Sequence, residues 1–158
     1  MKNFLLGLLL IGLLFTSCGT TRKLSDRKSN ITSISFERTP CFGTCPVYTI
    51  QIDKNCEATL QVENHVTNKN AGRYHTNLPE KEWLKLSSKL EKMNFEELDS
   101  NYGNHQISDL PTANTAIAYK NGGTKEVKDY GARGTEALSA FYLHMDSLVN
   151  HLDWELTK

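Results

Sequence analysis

The hydrophobic period of the chain switches from two to about 3.6, back to two and to 3.6 again, and this restricts the fold more than any other feature. Ile34 and Phe36 alternate with Ser35 and Glu37; Tyr48, Ile50 and Ile52 with Thr49 and Gln51; Ala58, Leu60 and Val62 with Thr59, Gln61 and Glu63. A period of two marks strands with one buried face. Asp53-Lys54-Asn55 separates the second and third runs and predicts a hairpin. A weaker strand runs through Arg73, Tyr74 and His75. Trp83, Leu86, Leu90 and Met93 then fall on one helical stripe, with Pro79 in the first turn and Phe95 and Leu98 closing the helix onto the sheet. After a loop from Asp99 to Pro111, Thr115, Ile117 and Tyr119 alternate again; Asn121-Gly122-Gly123 turns the chain and Thr124 to Tyr130 returns. Gly131 to Gly134 breaks that strand, and Leu138, Phe141, Tyr142, Met145, Leu148, Val149 and Leu152 form the stripe of a last helix. The expectation is an α+β fold: an antiparallel sheet of about six strands with two helices on one face, in the order strands, helix, strands, helix.

The first residues follow other rules. Lys2 is the only charge before Arg22, and Phe4 to Phe15 is apolar apart from glycine. A spanning helix needs about 20 apolar residues, whereas the apolar part of a secretory signal needs about 7–15. Thr16-Ser17-Cys18-Gly19 resembles the bacterial lipobox, with Phe15 where leucine is usual. The expectation is a lipoprotein signal peptide over 1–17, lipidation of Cys18, a flexible polar tether over 18–30 and a single domain over 31–158. The cysteine would carry enough acyl chain to hold the protein stably to a membrane. Gly19 and Thr20 carry no acidic retention signal, which points to the outer membrane of a Gram-negative bacterium. Eighteen basic and eighteen acidic residues balance, so there is no electrostatic footprint for nucleic acid.

Export places the remaining cysteines in an oxidising compartment, where disulfides persist. Cys41 and Cys45 flank Phe42-Gly43-Thr44 in a turn between strands and make the best pair; Cys56, in or beside the next hairpin, could compete for either.

The stretch Arg38-Thr39-Pro40-Cys41-Phe42-Gly43-Thr44-Cys45-Pro46-Val47-Tyr48 resembles the opening motif of a bacterial family called domain of unknown function 6438. Ser108 to Thr112 and Asp129-Tyr130-Gly131 continue the likeness in the same order. It spans roughly residues 31–150 and implies a small exported domain of α+β layout, with no assigned activity. The family tends to have glycine or a small polar residue where this chain has Cys56.

Three functions compete. The first is a non-catalytic binding or structural lipoprotein, whose stapled loop presents Phe42 to an envelope protein or small ligand. Phe42, Gly43, Asp109, Asp129, Tyr130 and Arg133 are its candidate contacts. The second is thiol redox chemistry at Cys41 and Cys45, but the spacing is Cys-x-x-x-Cys leading into a strand, without the helix start that lowers a thiol pKa. The third is an enzyme with a pocket around Asp109 and Asp129, with His105 available. No nucleophile-elbow, phosphate-loop or zinc-protease motif accompanies it, and Asp109 reads as a turn cap and Asp129 as a strand end. No catalytic residue, cofactor or metal is expected. His144 and His151, seven apart, read as solvated residues on a helix flank rather than as ligands.

Overall fold

The computed structural model describes residues 29–157. The expected signal peptide, Cys18 and all but the last two residues of the tether lie outside them. Four strands come first: β1 (Ile31–Arg38), β2 (Val47–Asp53), β3 (Glu57–Asn64) and β4 (Gly72–Asn77). Helix α1 (Glu80–Lys92) and a 3-10 turn (Phe95–Glu97) follow. Then come β5 (Asn101–Tyr102), β6 (Thr112–Tyr119), β7 (Thr124–Tyr130), helix α2 (Glu136–His151) and β8 (Glu155–Leu156). All eight strands join one sheet in the order β5-β7-β6-β1-β2-β3-β4-β8. The α+β layout holds, but the sheet has eight strands rather than about six and is mixed, because β5 runs parallel to β7. The two added strands have two residues each, too few to show a period. No helix of the described residues is long and apolar enough to cross a membrane.

Cross-strand register explains the burial. Ile117, Ile34, Ile52 and Ala58 lie side by side across the sheet, and the next rung is Val127, Thr115, Phe36, Ile50, Leu60 and Tyr74. These point to one face, where α1 lays down Trp83, Leu86 and Leu90, and α2 lays down Leu138, Phe141, Tyr142, Met145, Leu148 and Val149. The other face carries Ser33, Ser35, Thr49, Gln51, Thr59 and Gln61, exposed or half-buried. Burying one large apolar side chain contributes about 1.5–3 kcal/mol, so this single layer of contact dominates stability.

Local chemistry sets the element ends. The Thr135 hydroxyl accepts from the N–H of Leu138 at 3.0 Å and caps α2. The β2–β3 hairpin has three loop residues, Lys54, Asn55 and Cys56, and Cys56 stands at φ +67°. A three-residue hairpin requires a left-handed residue at that place, which is why glycine suits it. The Asp53 carboxylate accepts from the N–H groups of Asn55 and Glu57, both at 2.9 Å, and fixes the turn.

One expectation about the helices is corrected. His144 is not a solvated flank residue: its side chain is 15% exposed and its Nε2 lies 2.9 Å from the Glu82 carboxylate, joining α2 to α1. His151 is exposed and its Nδ1 lies 2.9 Å from the Ser147 carbonyl. Among the described residues no three His, Cys, Asp or Glu side chains converge as a metal site.

Candidate functional site

The antiparallel order of β7, β6, β1 and β2 brings one end of each to the same pole of the sheet. The stretch after β1, the start of β6 and the end of β7 therefore meet, although they lie far apart in sequence. Thr39 N–H donates to the Thr112 carbonyl at 3.1 Å, and the Thr39 hydroxyl accepts from Thr112 N–H at 2.7 Å. Phe42 N–H donates to the Asp109 carbonyl at 3.2 Å, and Gly131 N–H to the Pro111 carbonyl at 2.8 Å. These main-chain bonds lace residues 39–46, 103–111 and 131–135 into one braced tip.

Cys41 and Cys45 lie at disulfide distance, with Cα atoms 5.8 Å apart. Cys56 is free among the described residues and sits at the far end of β2, so it does not compete for either partner. Burial raises the Cys56 thiol pKa, and the charges of Glu80 and Asp53 raise it further, which keeps it protonated. Inside the ring the Phe42 side chain is 90% exposed. Gly43 beside it has φ +140°. Next to the ring, Pro40, Cys41, Gly43, Cys45, Val47, Glu63, Asn64 and His65 line a cleft of about 340 Å³.

The second loop is held from below by Tyr130. Its hydroxyl donates to the Ile107 carbonyl at 2.8 Å and accepts from Leu110 N–H at 3.2 Å. The His105 ring stacks on it at 4.7 Å between centroids. Asp109 is exposed at φ +66° and works through its main chain. Gly103 makes room for this arrangement: a Cβ there would run into the Tyr130 carbonyl. Gly134 does the same for Tyr102, whose ring and Cβ would lie 2.6–2.8 Å from a Cβ.

Asp129 is fully buried. Its carboxylate accepts from the N–H of Gly134 at 2.8 Å and of Arg133 at 3.2 Å, which locks the turn leading into α2. Asp109 and Asp129 therefore do not form the joint pocket an enzyme would use: one is in solvent and the other presents nothing to it. Tyr130 and Arg133 border the tip, Tyr130 as a brace and Arg133 through an exposed side chain.

A rung of polar side chains, which strand periodicity did not single out, lies just inside the tip on the helix-covered face. Asp129, Ala113, Arg38 and Tyr48 are neighbours in register. Arg38 donates to Asp146 of α2 through Nε at 3.2 Å and Nη2 at 2.6 Å, and the Tyr48 hydroxyl donates to the same carboxylate. The guanidinium also lies 5.3 Å from the Phe36 ring centre and 5.4 Å from that of Tyr142. Burial alone would lower the Arg38 pKa; the bonds and charge of Asp146 outweigh it and raise it. Burial, reinforced by Asp146, raises the Tyr48 phenol; burial, reinforced by Asp129, raises that of Tyr142. Both phenols stay neutral, and a charged guanidinium is held between carboxylate and rings. Tyr142 faces Asp129 and Thr115 without a well-aligned hydrogen bond.

The model of the family described as domain of unknown function (DUF6438) matches residues 32–149, from β1 almost to the end of α2. The chain belongs to the DUF6438 family. The three stretches that resemble it in sequence are the three that the DUF6438 domain laces together at its tip. No curated protein matches the chain.

Proposed function

We propose that this DUF6438 domain is a non-catalytic binding module of the cell envelope, held to a membrane by lipid on Cys18 and contacting its partner through the stapled tip. One observation carries the reading: Phe42 is 90% exposed on a loop closed by a disulfide and hydrogen-bonded to its neighbour. A large aromatic side chain in water is unfavourable unless something covers it, and one on a braced loop loses little conformational freedom when covered. The chemistry of the rest of the tip supports its shape. The side chains of Asp129 and Tyr130 bond to main-chain groups of the neighbouring loops, and Arg38 with Asp146 fastens the end of β1 to α2.

The anchor part rests on the apolar Phe4–Phe15 run and Thr16-Ser17-Cys18-Gly19, with a domain beginning at about residue 31. The outer membrane of a Gram-negative bacterium is the proposed site. Two experiments test the two halves. Cys18→Ser should abolish lipidation and release the protein from the membrane fraction; retention there counts against the anchor. Pull-down with the lipidated protein should recover an envelope partner whose capture weakens with Phe42→Ala; unchanged capture would sink the role of the loop.

A further inference from the structure

The cleft beside the disulfide ring has two unlike walls. Pro40, Cys41, Cys45 and Val47 form one, which offers carbon and sulfur without charge. Glu63, Asn64 and His65, where the chain leaves β3, form the other. Glu63 is the one carboxylate on the cleft, and no lysine or arginine lines it. Among the described residues no basic side chain pairs with Glu63.

A break in strand register puts Glu63 there. Val47 pairs with Asn64 but Tyr48 pairs with Val62, so Glu63 is an extra residue with no partner across the ladder. Such a bulge bends its strand and re-aims a side chain, and bulges are frequent beside functional sites. Unbroken alternation would leave Glu63 on the open sheet face with Glu57, Thr59 and Gln61. The turn that follows is held in place. His65 and Asn68 stand at φ +53° and +57°, Val66 is buried, and the Tyr74 hydroxyl donates to the Asn70 carbonyl at 2.9 Å. The disulfide braces the opposite wall. Both walls are thus ordered before anything enters, which lowers the entropy cost of binding.

An apolar wall facing a lone carboxylate matches the two halves of a long basic side chain, whose stem lies on apolar surface while its head keeps the charge. An acidic group would meet Glu63 at like charge, and a wholly apolar one would gain nothing from it. We infer that this cleft takes one basic side chain, lysine or arginine, of a partner protein, with its stem along Pro40, Val47 and the disulfide and its charge at Glu63. The inference rests on the binding reading above and adds to Phe42 a second contact of stated chemistry.

A nuclear magnetic resonance titration tests it, using the full lipidated chain, labelled with nitrogen-15, in detergent micelles. The probes are Nα-acetyl-lysine methylamide, its arginine analogue and its norleucine analogue, which keeps the stem and lacks the charge. The main-chain signals of Gly43, Val47 and Asn64 should shift saturably with the two basic probes, with Kd of about 1–10 mM. Norleucine in place of lysine, or Glu63→Gln in the protein, should each weaken binding about fivefold, and added salt should weaken it as well. Equal shifts from the norleucine probe, an affinity unchanged by Glu63→Gln, or no shift at about 50 mM probe would overturn the inference. Capture of a partner through Phe42 is read separately by pull-down, so failure of the cleft leaves that reading standing.

Discussion

Replacing Asp146 by alanine should be among the most damaging substitutions that leave the apolar core intact. The carboxylate accepts two bonds from Arg38 and one from Tyr48. The Arg38 side chain is only 13% exposed, so after the replacement its charge stays largely out of water with no counter-ion. Removing one partner of a fully buried pair costs about 3–5 kcal/mol. Asp146 is 26% exposed, which lets water reach part of the guanidinium, and the rings of Phe36 and Tyr142 still attract it. The expected loss is therefore smaller, about 2–3 kcal/mol. Arg38→Met should cost less, about 1 kcal/mol, because the more exposed carboxylate can hydrate and keep Tyr48. The double variant Arg38→Met with Asp146→Ala removes both charges together and should cost at least about 1 kcal/mol less than the sum of the two single losses. Urea unfolding of all four proteins measures this, with midpoints compared at constant slope. A loss under about 0.5 kcal/mol for Asp146→Ala, or additive single effects in the double variant, would refute the account of a coupled pair.

Other perturbations address the turns, the staple and the helix contact. Cys41→Ser with Cys45→Ser should lower stability by about 2 kcal/mol, the loop-closure entropy of so short a ring, read by urea unfolding. Gly103→Ala should cost about 2–4 kcal/mol, since the new Cβ meets the Tyr130 carbonyl; a neutral effect would mean that β5 readily moves away. Cys56→Gly should stabilise by about 0.5–1 kcal/mol by relieving the left-handed turn residue, seen as a higher melting temperature. The hydrogen bond from Lys85 lowers the Glu82 pKa against an opposing effect of burial, and His144 lowers it further. A carboxylate depressed in the folded state contributes stability above its unfolded pKa of about 4.3 and loses it as pH falls through the folded value. Glu82→Gln should therefore flatten the acid limb of a stability profile taken from about pH 6 to pH 3, and an unchanged limb would remove Glu82 from it.

Sequence patterning reached the larger elements because their period is long enough to read. Ile34/Phe36, Tyr48/Ile50/Ile52 and Ala58/Leu60/Val62 all turn to the helix-covered face, as alternation requires. The strands β5 and β8 escaped it because two residues cannot alternate, and both exist only through neighbours that offer an edge. The polar rung had a sequence signal, but an ambiguous one. Arg38 keeps the phase of Ile34 and Phe36, and Asp129 that of Val127, so both point inward. Asp146 lies one turn beyond Tyr142 on α2. Charges at apolar phase announce partners, yet naming Asp146 as the partner of Arg38, 108 residues away, needs the packed structure. The tip was legible as three motifs, and Phe42 as the end of a loop. That Asp129 spends its carboxylate on the turn at Arg133 and Gly134, rather than offering it to a substrate, depends on burial that a short motif does not encode.

The place of β1 in the middle of the sheet bears on how the chain acquires its shape. One edge of β1 pairs with β2, the next strand along the chain, but the other pairs with β6, Ile34 opposite Ile117. A chain emerging amino end first can make the meander of β1 to β4 from near neighbours while that second edge stays bare. Closing it brings together segments about eighty residues apart, a slow step compared with hairpin formation. Until β6 arrives, Ile34 and Phe36 sit beside a row of unpaired main-chain groups, where aggregation is the competing reaction. A chain with this topology has reason to be escorted until its second half is available to pair.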